Sequence, residues 1–319
     1  MKYCFICNPM AGKEKNKEAL VTRIKDVCSE RGVEYDILKT ASVGDATRLV
    51  KEYYREHVDD EIAFFAAGGD GTAGEVVNGI MSLPSRDKVS MGIIPVGTGN
   101  DFVRNFSDKE SFLDIGAQID SRPFAVDVLK CNDIYALNMI NIGFDCEVVC
   151  KMSELRRKPY IPSKLAYVAG LIITLVRKPG VRMSFSVDGG ESVEKYLLLS
   201  TFANGCFCGG GFHSNPNATL TCGKLDYMFI NDISRMKFLT LVGSYKKGTH
   251  ICEKTAKIID NGHSDTCKIV FDKKTNVSID GEVISFDSLD ISVERSALNF
   301  RVSLGCEPLK TVVFDEEKV

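Results

Sequence analysis

Two short glycine-acid turns constrain this chain more than any other feature: Gly68-Gly69-Asp70-Gly71-Thr72 and Pro95-Val96-Gly97-Thr98-Gly99-Asn100-Asp101-Phe102. Each follows an apolar run, Ile62–Ala67 or Met91–Ile94, that reads as a buried strand. The first turn also precedes a helix-like stretch, Gly74–Met81. A strand that breaks into glycines ahead of a helix leaves backbone N–H groups exposed at the helix N-terminus, which suits a phosphate. The Asp in each turn adds a hard oxygen donor of the kind Mg2+ prefers. Together the turns predict a nucleotide-phosphate and metal site on an α/β sheet.

The N-terminal part keeps that rhythm throughout. Tyr3–Cys7 reads as a strand, Lys15–Arg31 as a helix, Glu34–Thr40 as a strand and Gly44–His57 as a helix. The alternation predicts a parallel sheet with helices on its faces. Ligands of such sheets lie at the C-terminal strand ends, where both glycine turns fall. From about Phe124 the texture changes to short runs rich in β-branched and aromatic residues. These are Val126–Lys130, Ala136–Ile142, Val181–Val187, Tyr196–Ala203, Leu225–Ile230, Lys268–Phe271, Asn276–Ile279 and Ser288–Val293. Turn residues separate them, among them Gly189-Gly190, Gly209-Gly210-Gly211, Asn261-Gly262 and Asp280-Gly281. This pattern predicts an antiparallel β domain, sandwich or barrel-like, with helices near Pro162–Val176 and Met236–Gly248. The expected units are an α/β nucleotide-binding domain over 1–130 and a β-sandwich domain over 131–295.

Bulk properties narrow the setting. A net charge of −3 argues against a nucleic-acid partner, because a duplex-binding domain would show a basic excess. The twelve cysteines sit largely in apolar runs, where a thiol behaves as a small hydrophobe, and Tyr3–Cys7 is too short for the apolar core of a secretory leader. The expectation is a reducing, cytoplasmic protein. The longest apolar run, Leu165–Val176, has 12 residues against the roughly 20 needed to span a bilayer, so no transmembrane segment is expected.

Several motifs have both a plain and a chemical reading. Gly-Asp-Gly alone is a common tight turn; two such turns at neighbouring strand ends favour phosphate and metal. The P-loop and protein-kinase signatures are absent from the sequence. Asn8-Pro9-Met10-Ala11-Gly12-Lys13 closes the first strand, as an ordinary strand-to-helix turn or as a further phosphate clamp. Cys206-Phe207-Cys208 with His213 matches no standard zinc spacing, and Cys4-x-x-Cys7 lies on a buried-looking strand and reads as core.

These motifs occur together in one family. Asn8-Pro9-x-Ala11-Gly12-Lys13, the Gly68–Thr72 turn with Glu75 and Asn78-Gly79, and the Pro95–Phe102 turn with Arg104 stand in order. Asp127, Asn141-x-Gly143-Phe144-Asp145, Asn204-Gly205 with Gly209–Gly211, and Asp280-Gly281-Glu282 continue the pattern. The chain resembles the lipid kinases that share the diacylglycerol kinase catalytic domain, including the soluble bacterial enzymes and the sphingosine kinases. The resemblance implies a two-domain fold whose C-terminal tail, about 296–319, packs back on the first domain. It implies that Asn8, Pro9, Met10, Ala11, Gly12, Thr40, Gly69, Asp70, Gly71, Thr72, Glu75, Gly97, Thr98 and Asn100 hold ATP. Asp70, Asp101 and Asp127 would organise Mg2+ through water, and Asp280 would be the general base. Without the family Asp280 would not stand out, since Asp-Gly is the commonest hairpin turn.

The chain departs from the family pattern in two places. Cys222-Gly223 stands where the family has Asp-Gly, whose Asp helps to hold a structural Mg2+ in bacterial members; a neutral thiol is a poor ligand for a hard cation, which puts a metal near Thr219, Cys222 and Lys224 in doubt. Gly74 stands where the family commonly has Asn. The expected activity is ATP-dependent phosphorylation of a lipid hydroxyl, diacylglycerol first, by an enzyme peripheral to the inner membrane face. Residues 151–182 carry eight Lys and Arg against the single acid Glu154, and read either as a docking surface for anionic lipid or as the solvated ends of a half-buried helix. An exposed sheet edge would allow a homodimer. The alternatives are an NAD kinase-like enzyme, which shares the Gly-Gly-Asp-Gly-Thr turn, and a non-catalytic lipid- or nucleotide-binding regulator.

Overall fold

The structure, a computed structural model of the chain, describes residues 1–12, 17–156, 170, 173–177 and 180–309. Lys13, most of the Leu165–Val176 run and the tail from residue 310 lie outside the described residues.

The first unit runs β1 (Lys2–Cys7), α1 (Lys17–Glu30), β2 (Glu34–Lys39), α2 (Asp45–Glu56), β3 (Ile62–Gly68), α3 (Asp70–Met81) and β4 (Val89–Pro95), with a short α4 (Ile115–Ile119) after the second glycine turn. The strands pair in parallel in the order β2-β1-β3-β4. Every residue of β3 is buried, because helices cover both faces of a parallel sheet and an uninterrupted apolar strand suits that position. Close packing between α2 and α3 depends on Gly79, where a Cβ would come 2.7 Å from Val50 Cβ. Helix α3 begins at Asp70 rather than Gly74. The acid turn is therefore the first turn of the helix itself, where a carboxylate is favoured by the helix dipole.

The second unit comprises β5 (Phe124–Cys131), β6 (Ile134–Ala136), β7 (Met139–Gly143), α5 (Phe144–Arg156), β8 (Val181–Val187), β9 (Val193–Ala203), β10 (Phe207–Cys208), β11 (Phe212–His213), β12 (Leu225–Asn231), α6 (Arg235–Lys247), β13 (Ile259–Ser264), β14 (Thr266–Ile279) and β15 (Glu282–Phe300). Its pairings within the unit are antiparallel, with the small β10–β11 hairpin forming a sheet of its own. Two apolar runs expected separately, Lys268–Phe271 and Asn276–Ile279, belong to one strand. The register shift between Val270 and Thr275 lets that strand serve β8 with one half and β7 with the other. Asn261-Gly262, expected as a turn, lies inside β13 opposite β12. Gly262 faces the Tyr227 ring there, and a Cβ would come 2.8 Å from its Oη, so glycine serves packing rather than turning.

Strand β15 joins the two units. It pairs antiparallel with β14 and β5, and at its end Phe300 pairs in parallel with Met91 of β4. Arg301 follows immediately and is buried. Its guanidinium donates to Ser90 Oγ at 2.8 Å and to the Ser121 carbonyl at 2.8 Å, and it lies 6.0 Å from the centre of the Tyr3 ring. Nothing in the sequence singled it out. Replacing Arg301 with Ala would leave buried carbonyls unpaired, and we expect a loss of about 2–4 kcal/mol in urea unfolding free energy. An unchanged unfolding midpoint would show that this clamp contributes nothing to the join.

Candidate active site

The two glycine turns stand back to back. Val96 and Gly97 N–H groups donate to the Gly68 carbonyl at 3.0 and 3.1 Å, and a Cβ on Gly97 would sit 2.4 Å from Gly69 Cα. Only glycine permits that approach. Asn100 adopts a left-handed conformation, φ 51°, and its Nδ2 donates to the Gly97 carbonyl at 2.9 Å. Asn8 brings in the first loop: its Nδ2 donates to Thr72 Oγ1 at 3.1 Å, and its Oδ1 accepts from Met10 N–H at 2.8 Å. Gly12, at φ 75°, lies where a Cβ would come 2.8 Å from the Val96 carbonyl oxygen. Glu75 accepts from Gly44 and Ala46 N–H groups, at 2.9 and 3.0 Å, and so fixes the start of α2. Thr40 is buried and its N–H donates to the Cys7 carbonyl at 3.0 Å. Pro9, Met10 and Thr98 are exposed, and Ala11 and Gly71 are partly exposed. The three loops thus converge on the N-terminus of α3, whose first-turn N–H groups have no partner within the helix.

Asp70 and Asp101 are brought together. Asp70 Oδ1 accepts from Asp101 N–H at 2.7 Å, and Asp101 Oδ2 accepts from Gly210 N–H at 2.9 Å, a contact from the second unit. Burial raises the pKa of both, and for Asp101 the neighbouring Asp70 charge adds to it, reaching about 6. Asp101 Oδ1 is buried without a hydrogen bond; Arg104 Nε lies 3.3 Å away but misaligned. Two crowded carboxylates with an unpartnered oxygen suit a divalent cation, which would relieve their repulsion. Among the described residues no group of three or more acids, cysteines or histidines surrounds a single point. Mg2+ held here would take its remaining ligands from phosphate and water.

Asp127 has a different set of partners. Its Oδ2 accepts from Gly223 N–H at 2.6 Å and its Oδ1 from Ser296 N–H at 2.7 Å. Ser296, at φ 48°, marks the bulge where β15 shifts register against β5. Both carboxylate oxygens of this buried acid accept from backbone, and these hydrogen bonds join it to neither Asp70 nor Asp101. They fix the bulge that steers β15.

Asp280 occupies the tight turn between β14 and β15, with φ 47° at Asp280 and 88° at Gly281, the paired left-handed geometry of an Asp-Gly hairpin. Its carboxylate accepts from Leu137, Asn138 and Met139 N–H groups at 2.6, 3.0 and 2.8 Å. Burial outweighs these bonds and pushes its pKa up to about 6. The side chain faces Gly74 of α3: a Cβ there would lie 3.7 Å from Asp280 Cβ. A cavity of about 230 Å3 opens between them, lined by Gly74, Glu75, Asn78, Tyr135, Asp280 and Glu282 among others. The absence of an Asn side chain at position 74 leaves this space open.

Sequence reasoning missed the asparagines that tie the acids together. Asn138 shares the Asp280 cradle, and its Nδ2 donates to the Phe207 carbonyl at 2.7 Å. Asn105 Nδ2 donates to Asn138 Oδ1 at 3.2 Å, and its Oδ1 accepts from Cys206 N–H at 2.6 Å. The Gly209–Gly211 loop is in this way anchored to both acid sites. The signal was present only as asparagines without a turn to serve. Cys4 and Cys7 lie in the core, the Cys206 thiol donates to the Ala218 carbonyl, and His213 stacks on Phe207.

The loop 219–224 does not fit a hard cation. The Cys222 thiol lies 3.5 Å from the Thr219 carbonyl and 3.3 Å from that of Lys224, across the carbonyls a metal would use, and burial raises the thiol pKa. Ion pairs from Lys224 and Arg295 to Asp265 hold the loop from outside. Chelation with EDTA is therefore expected to leave the thermal midpoint of the ligand-free protein unchanged, whereas Cys222→Asp should acquire a Mg2+-dependent rise. A drop in the unmodified protein on chelation would show that the loop binds metal despite its thiol.

Comparisons with known proteins give the family. A diacylglycerol kinase catalytic domain model matches residues 2–131, and a YegS C-terminal NAD kinase beta sandwich-like domain model matches 138–302. A protein of Enterobacter sp. (strain 638) named probable lipid kinase YegS-like is 29% identical over 307 residues, covering 94% of this chain and 95% of its own. The diacylglycerol kinase of Bacillus subtilis (strain 168) is 29% identical over 292 residues, covering 87% and 88%. A crystal structure of a diacylglycerol kinase from Bacillus anthracis str. Sterne shares the fold, with a TM-score of 0.67 at 22% identity over 95% of this chain and 97% of that one. With the two domain models in tandem, this chain belongs to the lipid kinase family that joins a diacylglycerol kinase catalytic domain to a YegS-type C-terminal domain.

Proposed function

We propose that this kinase transfers the γ-phosphate of ATP to a lipid hydroxyl at a membrane surface, with diacylglycerol as acceptor and phosphatidic acid as product. The observation that carries the reading is Asp280: a carboxylate shifted to about 6, opening on a cavity and set against the helix that starts the phosphate site. A base near neutrality accepts the hydroxyl proton as the new P–O bond forms. The ATP phosphates would lie against the α3 N-terminus and the Asn8 loop. Asp70 and Asp101 would hold Mg2+, which neutralises charge on the transferred group. The protein then has to position the phosphates and accept one proton, tasks that fall to the α3 N-terminus with the Asn8 loop and to Asp280. Among the described residues no helix is long and apolar enough to cross a membrane, and in this reading the enzyme works from the inner membrane face.

The test is a labelled-ATP assay against lipids in mixed micelles, with NAD as a further acceptor. Diacylglycerol should be phosphorylated and NAD should not. Label transfer to NAD alone would support the NAD kinase alternative, and ATP binding without any turnover would support the regulator. Asp280→Asn should lower kcat by about 100-fold or more while ATP affinity stays within about twofold. Normal turnover in that variant would remove Asp280 from the chemistry. In the unmodified enzyme kcat should fall as pH drops through about 6, because an Asp280 that already carries a proton cannot accept the one from the hydroxyl.

A further inference from the structure

The geometry points to the outer face of α6, together with the adjoining residues Val176 and Arg177, as the surface that docks on an anionic lipid bilayer. This rests on the lipid-acceptor reading above and adds where the protein meets the membrane. The inner face of α6 is buried through Phe238, Leu241 and Tyr245. Its outer face presents Met236 and Leu239, 73% and 49% exposed, one helical turn apart. Val176, 65% exposed, adjoins the start of the helix, where Arg235 Nη2 donates to its carbonyl oxygen at 2.9 Å. Exposed apolar side chains of this size suit the headgroup boundary of a bilayer.

The charges on the helix itself have one sign, and the exposed Asp232 precedes it. Helix α6 holds Arg235, Lys237, Lys246 and Lys247 and no acid within Arg235–Lys247; Arg177 is exposed nearby. The whole chain is at −3, so this face is a local reversal of the protein's charge. A basic, apolar-tipped face complements an anionic leaflet. It also adjoins the acid site. Gly248, which caps α6, packs on His213, where a Cβ would come 2.4 Å from Nδ1, and Lys246 Nζ lies 5.7 Å from the Phe212 ring centre. Phe212 and His213 form one strand of the hairpin whose Gly210 N–H bonds Asp101. A bilayer seated on α6 would present its lipids beside that loop.

Sedimentation with vesicles of phosphatidylcholine containing phosphatidylglycerol tests the assignment. The full chain should bind them, bind pure phosphatidylcholine vesicles weakly, and release at high salt. Lys237→Glu with Lys247→Glu should weaken binding at least about tenfold, and Met236→Ser with Leu239→Ser should weaken it at either lipid composition. Both double variants should keep full turnover on a monomeric short-chain diacylglycerol in solution. Undiminished vesicle binding in both would overturn the α6 assignment, as would loss only on charge reversal of Arg156, Arg157 and Lys158. Loss of a self-associated or protein-bound form, without change in vesicle binding, would assign the face to a protein partner instead. A protein that binds vesicles through α6 but never phosphorylates the short-chain lipid would instead count against the acceptor reading.

Discussion

The contact between Gly69 and Gly97 is the constraint on which the rest of the site depends. Strands β3 and β4 are neighbours in a parallel sheet, so their C-terminal turns must pass within one backbone thickness of each other. A side chain at Gly97 would force the turns apart, and the Asp70 carboxylate would lose the Asp101 N–H that now lies 2.7 Å from it. The two acids are held together by backbone, not by each other. Their repulsion is tolerated because the glycine packing leaves them no other place, and the same packing aims the α3 N-terminus at the point between them.

The second constraint is carried by β14 and β15. One hairpin places Asp280 against α3, and the outgoing strand then runs back to pair with β4. This return needs the register shift at Ser296, whose N–H is held by Asp127. Asp280 and the join between the units thus lie at the two ends of a single strand. Arg301 secures the far end, and the Asn105–Asn138 pair secures the loop that bridges the two acid positions.

Local pattern made some of this legible and left the rest hidden. The βα alternation, the two glycine turns and the texture change near residue 124 follow from nearest-neighbour chemistry, and they carried the fold class and pointed to the pairing of the two glycine turns. The start of α3 was misplaced because Gly-Asp-Gly reads as a turn in isolation, whereas the sheet edge lets it become the first helical turn. The Asp127 partners, the Arg301 clamp and the Asn105–Asn138 bridge each span 33 residues or more of chain. No periodicity encodes such contacts. Asp280 shows the limit most clearly: as sequence it is one more Asp-Gly turn beside Asp188-Gly189, and only the Leu137–Met139 amides and Gly74 distinguish it.

Asp188 gives the control for that comparison. It too stands at the left-handed position of a tight turn, φ 48°, and its Oδ1 also accepts backbone N–H groups, from Asp265 and Thr266 at 2.8 Å. Its surroundings are solvent, so those bonds simply fasten two strands. At Asp280 the same local motif is driven into the joint between two units, where burial outweighs three N–H donors and raises the pKa to about 6. An acid with a raised folded pKa costs stability above its unfolded value, and the cost is complete once pH has risen past 6; at Asp101, 8% exposed and shifted to a similar value, it is on the order of 1–3 kcal/mol. A fold selected for stability alone would place an amide or an apolar residue at either position. In the reading proposed above, that cost is offset by function: a cation would be held at Asp70 and Asp101, and a proton accepted at Asp280.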